Sequence, residues 1–286
     1  MDTRLIGSLK AFWLTCLMVA ASLAAPLTAR AAEGPVVQAP HMELQLVSQG
    51  SVQPGGQTWV ALRMKPEKDW HSFWRNPGDA GEPTRLVWTL PAGWKAGDFV
   101  WPLPKTLLVA GILMNYVYEA EVLLPQPLTV PADARPGQTV TLKTEAVYQV
   151  CSDTCVPGQE TLTIDIPVAA APAADARWGP AIDKTLAAVP KPAGLTAAFE
   201  AGPMLKLAVV GGPLKGADLK DAHFFPFANG AIDNAKPQTG SFGPDGVTLN
   251  LAKAEPAVQP ASLAGVLAVG GKGYEIAAAP GPLPPG

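Results

Sequence analysis

The sequence has 286 residues, a formal net charge of -3 and a hydrophobic content of 48%. The small net charge and the lack of a basic run argue against a nucleic acid or an anionic membrane surface as the partner. The 31 prolines and 28 glycines, together with few long helical patterns, predict many short strands joined by tight turns.

Residues 1–32 have the features of an export signal. Arg4 and Lys10 supply positive charge, Ala11–Ala25 is apolar, and Ala29-Arg30-Ala31 is a small-x-small cleavage site. The apolar stretch is shorter than the ~20 residues of a membrane span, so an uncleaved anchor is only the alternative. We therefore predict cleavage near residues 31–32 and an exported protein without stable membrane insertion.

Residues 33–168 are predicted to form an all-β domain. Apolar and polar residues alternate in several short segments, as in strands with one buried face. The segments include His41–Ser48, Thr58–Met64, Arg85–Leu90, Tyr116–Leu124, Thr139–Val150 and Gln159–Val168. Roughly seven to nine such strands with turns between them indicate a β-sandwich.

The rest of the chain predicts a second, smaller β-sandwich. Residues 169–193 are expected to be an Ala/Pro linker with a short helix over Asp175–Val189, capped by Asp175. The strand pattern returns over residues 194–279, and residues 280–286 are expected to be a disordered tail. The predicted fold class is therefore all-β, with two sandwiches joined by a linker, and we expect a monomer.

Only two cysteines follow the predicted signal, Cys151 and Cys155. In one extended strand they would lie about 13 Å apart, whereas a disulfide needs Cα atoms about 4.4–6.8 Å apart. The chain must therefore turn between them, and Ser152, Asp153 and Thr154 are turn formers. In an oxidising compartment we expect a disulfide at the tip of a β-hairpin. The residues alone leave open whether it is a structural staple or a redox centre.

Four sequence blocks resemble the periplasmic N-terminal domain of DsbD/ScsB-type protein-disulfide reductases. In chain order they are Trp74–Gly81, Trp101–Pro104, Tyr116–Glu119 and Tyr148–Pro157. A further tract, Asp221–Pro226, is similar to a second-domain feature of the same family. The resemblance implies immunoglobulin-like sandwiches.

The resemblance also implies that Cys151 and Cys155 are a redox-active pair. Cys155 would form the mixed disulfide with partners, and no cofactor is required because the dithiol carries the electrons. The expected function is a relay between thioredoxin-fold periplasmic proteins and a membrane reductase. The full-length reductases continue into membrane and thioredoxin-like domains, whereas this sequence ends at Gly286, so we expect the membrane electron donor to be a separate protein.

Several further residues are expected near the cysteines. They are Trp74, Asp79, Tyr116, Tyr118, Glu119 and Tyr148. The alternative for the aromatic residues is that they fill the sandwich core. For Asp79 the choice lies between a solvated turn residue and a group that handles the protons of the dithiol.

The thiols are expected to react slowly unless a partner docks. No helix begins at Cys151, and the nearest charge in sequence, Asp153, disfavours a thiolate. Slowly reacting thiols suit a relay protein in an oxidising compartment.

Two other functions stay open from the sequence. The first is a Cu(I)-binding, copper-tolerance protein of the periplasm, because soft thiolates suit Cu(I); its histidines would be drawn from His41, His71 and His223, which are scattered. The second is an adaptor whose disulfide is structural and redox-inert. No metal ligand set is predicted, and no hydrolase motif is present.

Overall fold

The computed structural model describes residues 33–256 and 260–285. The predicted export signal and the last residue of the predicted tail lie outside these residues. The first eleven strands are β1 (Val37–Ala39), β2 (Met42–Ser48), β3 (Gln57–Pro66), β4 (Ser72–Gly78), β5 (Arg85–Thr89), β6 (Lys95–Ala96), β7 (Lys105–Val109), β8 (Leu113–Tyr118), β9 (Val122–Thr129), β10 (Thr139–Cys151) and β11 (Cys155–Pro167). We refer to them as the first β unit.

A helix and eight strands follow. They are α1 (Trp178–Ala188), β12 (Lys191–Pro192), β13 (Thr196–Ala201), β14 (Leu205–Val210), β15 (His223–Pro226), β16 (Thr239–Phe242), β17 (Gly246–Leu251), β18 (Leu263–Val269) and β19 (Lys272–Pro280). A short 3-10 turn, Gly212–Leu214, separates β14 from β15. We refer to β12 to β19 as the second β unit. The all-β prediction is confirmed, and the arrangement is consistent with immunoglobulin-like sandwiches.

The first β unit contains three sheets with antiparallel pairing. Their strand orders are β1-β2-β3-β9-β6, β11-β10-β5 and β4-β8-β7. Alternate apolar residues point into a shared core, for example Leu62 from β3, Leu124 from β9, and Leu142 and Val150 from β10. The alternation read from the sequence corresponds to the face of each strand that points into this core, and in β2 and β3 the other face is largely buried as well.

The hairpin of β10 and β11 carries the cysteines at its end. Its register runs without a shift from Thr139 opposite Pro167 to Cys151 opposite Cys155. We expected the return strand to begin at Gln159, but β11 begins at Cys155. The physical reason is that β11 is an edge strand, where Pro157 can sit because its missing N–H is not needed for a further pairing.

The helix α1 packs on the outer side of the first β unit. Trp178 and Ile182 contact a cluster formed by Val47, Ala61 and Leu123. The Oδ1 atom of Asp175 accepts hydrogen bonds from the backbone amides of Arg177 (2.8 Å) and Trp178 (2.6 Å). Asp175 thus satisfies amides at the start of the helix, as a capping residue does.

The second β unit has its own core and also contributes residues to the core of the first β unit. Its strands order as β15-β18-β19-β13-β14-β17-β16, with β12 beside β19. Phe225 and Val266, however, belong to the core of the first unit. The ring of Phe225 lies edge-on to Trp74 (6.0 Å) and Tyr116 (5.0 Å). The two units are therefore joined by an aromatic contact centred on β4 and β8.

Candidate redox site

Cys151 and Cys155 form a disulfide across the tip of the β10–β11 hairpin. Both backbone groups of Cys151 bond to His71, with N···O distances of 2.9 and 3.0 Å. The two cysteines are therefore a directly opposite pair without mutual backbone hydrogen bonds, the kind that brings Cα atoms to about 4.5 Å. Their Cα atoms are 4.1 Å apart. The amide of Ser152 donates to the carbonyl of Thr154 (3.0 Å) and closes the turn.

The two sulfur-bearing residues differ in exposure. Cys151 is 2% exposed and packs with Phe73, Val117 and Leu107. Cys155 is exposed. An incoming thiolate can therefore approach the Cys155 side of the disulfide from solvent, while the Cys151 side is covered by apolar residues.

This asymmetry predicts unequal labelling of the reduced protein. Because alkylation needs an accessible thiolate, we expect iodoacetamide to modify Cys155 at least about 10-fold faster than Cys151. The measurement is peptide mass spectrometry after short alkylation at pH 8, with unfolded protein in urea as the control for intrinsic reactivity. Equal rates in the folded protein would contradict the asymmetry.

The aromatic residues expected near the cysteines lie on the other face of their strands. Side chains of successive strand residues alternate between faces. On β4 and β8, Phe73 and Val117 pack with Cys151, whereas the neighbouring residues Trp74, Tyr116 and Tyr118 belong to the sandwich core. Tyr148, three positions before Cys151 in a strand without a register shift, also faces that core.

The three tyrosines are core residues whose hydroxyl groups are held or covered. The hydroxyl of Tyr116 donates to Oδ1 of Asn234 (3.0 Å), and that of Tyr118 donates to the carbonyl of Pro102 (2.7 Å). The ring of Tyr148 covers Gly158, where an added Cβ would lie 2.2 Å from it. Burial raises the pKa of all three, that of Tyr148 to about 12, so each is neutral at physiological pH.

Asp79 connects the two β units. Its backbone amide donates to the carbonyl of Met114 (2.8 Å), and Oδ2 accepts from the amide of Met114 (2.7 Å). Oδ1 accepts from Nδ2 of Asn234 in the second unit (2.8 Å). The carboxylate is thus committed to holding its loop between β8 and the second unit.

Glu119 lies beside the hairpin tip. It lines a cleft of about 580 Å³ together with His71, Leu107, Ser152 and Asp153. Its carboxylate is 3.6 Å from Nζ of Lys105, in an exposed ion pair. Of the supporting residues expected from the sequence, Glu119 is the one in the lining of this cleft.

His71 is a site neighbour that the sequence reading did not select. It pairs directly with Cys151, is 5% exposed, and its Nε2 atom has no hydrogen-bond partner. Burial lowers the pKa of His71, and the charge of Glu119 opposes that shift. The alternation of Trp70 to Trp74 places His71 on the face of Phe73, but only the pairing of distant strands reveals the proximity to Cys151.

The three histidines lie in separate surroundings. His41 stacks on Trp70, with ring centroids 3.7 Å apart, and contacts Glu67 at 2.8 Å. His223 packs against Phe225, and burial lowers its pKa to about 4. Within residues 33–256 and 260–285, no group of three or more His, Cys, Asp or Glu side chains is arranged to hold a metal ion.

The described part of the chain contains no helix with both the length and the apolar character that a membrane span requires.

Comparisons with known proteins agree with this geometry. Residues 42–167 match the protein family described as "Thiol:disulfide interchange protein DsbD, N-terminal". The chain is also similar to the crystal structure of the N-terminal periplasmic domain of ScsB from Proteus mirabilis, with a TM-score of 0.67 and 17% identity. The match covers 88% of this chain and 100% of that chain, and at this identity it shows a shared fold. A search of curated proteins found no match.

Proposed function

Because residues 42–167 match the family of DsbD N-terminal domains, we propose that this protein carries out thiol–disulfide exchange in the periplasm. Its Cys151–Cys155 pair would relay electrons from one partner to another, and the partners would be thioredoxin-fold proteins or a membrane reductase. The similar ScsB domain is described as periplasmic, which supports the location. No bound cofactor is needed, because the two sulfur atoms carry the electrons.

The observation that carries the proposal is the unequal exposure of the two cysteines. A partner thiolate attacks Sγ of the exposed Cys155, the intramolecular S–S bond breaks, and Sγ of Cys151 leaves with the electron pair and takes a proton. The partner's second thiolate then attacks the partner sulfur of the mixed disulfide, and Cys155 is released as a thiolate. Two electrons have passed to this protein, and the reverse sequence passes them on.

The surroundings of the disulfide favour a partner that docks. The hairpin of β7 and β8 exposes Ile112 (70%) at its turn and Leu113 (38%) directly opposite Val109. Val109 is on the same face of β7 as Leu107, which packs against Cys151. An apolar rim beside the site would bury area against a folded partner, whereas a small thiol gains nothing from it.

The test compares a protein reductant with a small one. Oxidised protein is mixed with a reduced thioredoxin-fold protein or with dithiothreitol at equal thiolate concentration, and reduction is followed by quenching and alkylation. We expect the protein reductant to be at least about 100-fold faster, because docking aligns its thiolate with Cys155. Replacing Ile112 by serine should lower that advantage severalfold without changing the dithiothreitol rate.

Equal rates with both reductants would contradict the proposal and favour an adaptor with a structural disulfide. A variant with serine at both Cys151 and Cys155 serves as the control for background thiol consumption.

A further inference from the structure

The residue beside the buried cysteine is a histidine in an unusual state, and the inference drawn from it rests on the proposed exchange function. His71 and Cys151 exchange two backbone hydrogen bonds and are directly opposite each other. Directly opposite residues of an antiparallel pair project their side chains to the same face, with Cβ atoms about 4.5–5.5 Å apart. Cys155 lies directly opposite Cys151 on its other side. His71, Cys151 and Cys155 therefore form one row across the sheet.

The imidazole of His71 has an unused polar atom. The residue is 5% exposed, and Nε2 finds no hydrogen-bond partner. Leaving a buried polar atom unpaired is unfavourable, and most folded proteins avoid it. The ring is held edge-on to Phe73 at 5.2 Å, and Phe73 itself packs on Cys151. The atom without a partner thus belongs to a ring that shares Phe73 as a neighbour with Cys151.

The charged side chains in the cleft beside His71 are one lysine and three carboxylates. Lys68, Asp69, Glu119 and Asp153 line the cleft that His71 also lines. Glu119 favours the imidazolium form, although its charge is shared with Lys105. Burial favours the neutral form, so the ring is a base at neutral pH and Glu119 stabilises the charge when it takes a proton.

Cys151 needs such a group when this protein donates electrons. Cys155 first attacks a partner disulfide and forms the mixed disulfide, releasing one partner thiolate. Cys151 must then lose a proton and attack Sγ of Cys155. Its apolar neighbours Phe73, Val117 and Leu107 disfavour a thiolate, since they cannot solvate its charge.

We propose that His71 is the proton acceptor for the Cys151 thiol in this resolving step. The proton moves from Sγ of Cys151 to Nε2 of His71, and Sγ of Cys151 attacks Sγ of Cys155. The S–S bond of the mixed disulfide breaks, and its electron pair leaves with the partner sulfur that was joined to Cys155. The imidazolium gives its proton to that thiolate or to solvent. When the protein accepts electrons, the imidazolium of His71 returns a proton to Sγ of Cys151 as that sulfur leaves the disulfide.

The resolving step can be isolated with an aromatic disulfide. Reduced protein, freed of reductant, is mixed with dithiobis(nitrobenzoate). Attack by Cys155 releases a first nitrothiobenzoate, and attack by Cys151 on the mixed disulfide releases a second. The leaving thiolate needs no proton, so the second, concentration-independent phase reports the deprotonation of Cys151.

In the unchanged protein, the second phase should rise with pH up to a plateau that begins near or below pH 6.5, because His71 titrates below its usual pKa. In His71→Gln, we expect the second phase at pH 7 to be about 100-fold slower and to rise with pH beyond 8, since a general base contributes at least that factor. The first phase should stay unchanged. His223→Gln, at a partly buried histidine of the second β unit, is the matched control.

A second phase in His71→Gln within threefold of the unchanged protein, with the same pH profile, would overturn the proposal. Should His71→Gln fail to fold, Glu119→Gln at the exposed partner keeps the test decisive. That variant should shift the rising part of the profile to lower pH and slow the second phase severalfold, and an unaltered profile would count against His71 as the base. Absence of any second phase in the unchanged protein would instead contradict the proposed exchange function itself.

Discussion

Replacing Cys151 with serine is expected to turn the protein into a trap that stays joined to its partner by one disulfide. The exposed Cys155 can still attack, but no neighbouring thiol remains to resolve the mixed disulfide. Loss of an intramolecular nucleophile slows resolution by about 10³-fold or more, because only external thiols at low concentration can replace it. The measurement is a non-reducing gel after mixing reduced variant with an oxidised thioredoxin-fold protein.

The matched variant Cys155→Ser should show little capture. Its remaining thiol, Cys151, is 2% exposed and lies behind Phe73 and Val117, so we expect adduct formation to fall at least about 100-fold relative to Cys151→Ser. Equal capture by the two variants would contradict the assignment of Cys155 as the contacting residue. Failure of both to form an adduct would favour the redox-inert adaptor.

The other large effect is expected at the contact between the two β units, in Asn234→Asp. Asn234 is 3% exposed, and its Nδ2 donates to Asp79 while its Oδ1 accepts from Tyr116. An aspartate there would place two carboxylates against each other without a compensating cation. We expect a loss of about 3 kcal/mol in the free energy of unfolding, the order found for uncompensated buried charge.

The double variant Asp79→Asn with Asn234→Asp should recover most of that loss. It reverses donor and acceptor, so that Nδ2 of residue 79 donates to the carboxylate of residue 234, and the hydroxyl of Tyr116 keeps its acceptor. Urea unfolding at pH 7 measures both variants, and Asn250→Asp, at a partly exposed residue of strand β17, should change stability by less than about 0.5 kcal/mol. A double variant as unstable as the single one would contradict the direct contact.

That contact also suggests what the second β unit does for the site. The loop of Asp79 continues to Gly81, where an added Cβ would lie 2.3 Å from the ring of Phe73. Phe73 packs on Cys151. The second unit therefore supports the loop that backs the buried cysteine, and we expect Asn234→Asp to raise the alkylation rate of Cys151 as well.

The sequence alone was sufficient for the hairpin and its disulfide. Alternation in Thr139–Val150 and the turn formers after Cys151 are local signals, and the structure places the cysteines where those signals predicted. The start of β11 was mispredicted because Pro157 and Gly158 indicate a turn in most settings. Only the position of β11 at a sheet edge makes them compatible with a strand.

The surroundings of the cysteines required long-range information. Tyr148 is close to Cys151 in sequence, but an odd separation along a regular strand puts the two on opposite faces, a rule that could have been applied from the sequence. His71 reaches Cys151 only through the pairing of strands 80 residues apart in sequence. Asp79 meets Asn234 across 155 positions, and no local pattern encodes such a contact.

The most direct test of the central claim is the reduction potential of the Cys151–Cys155 pair, measured by equilibrating the protein in glutathione buffers and trapping free thiols by alkylation. A relay must accept and donate electrons, so we predict a value between about -180 and -270 mV, the span of known exchange catalysts. A value below about -300 mV, typical of structural disulfides, would contradict the exchange function.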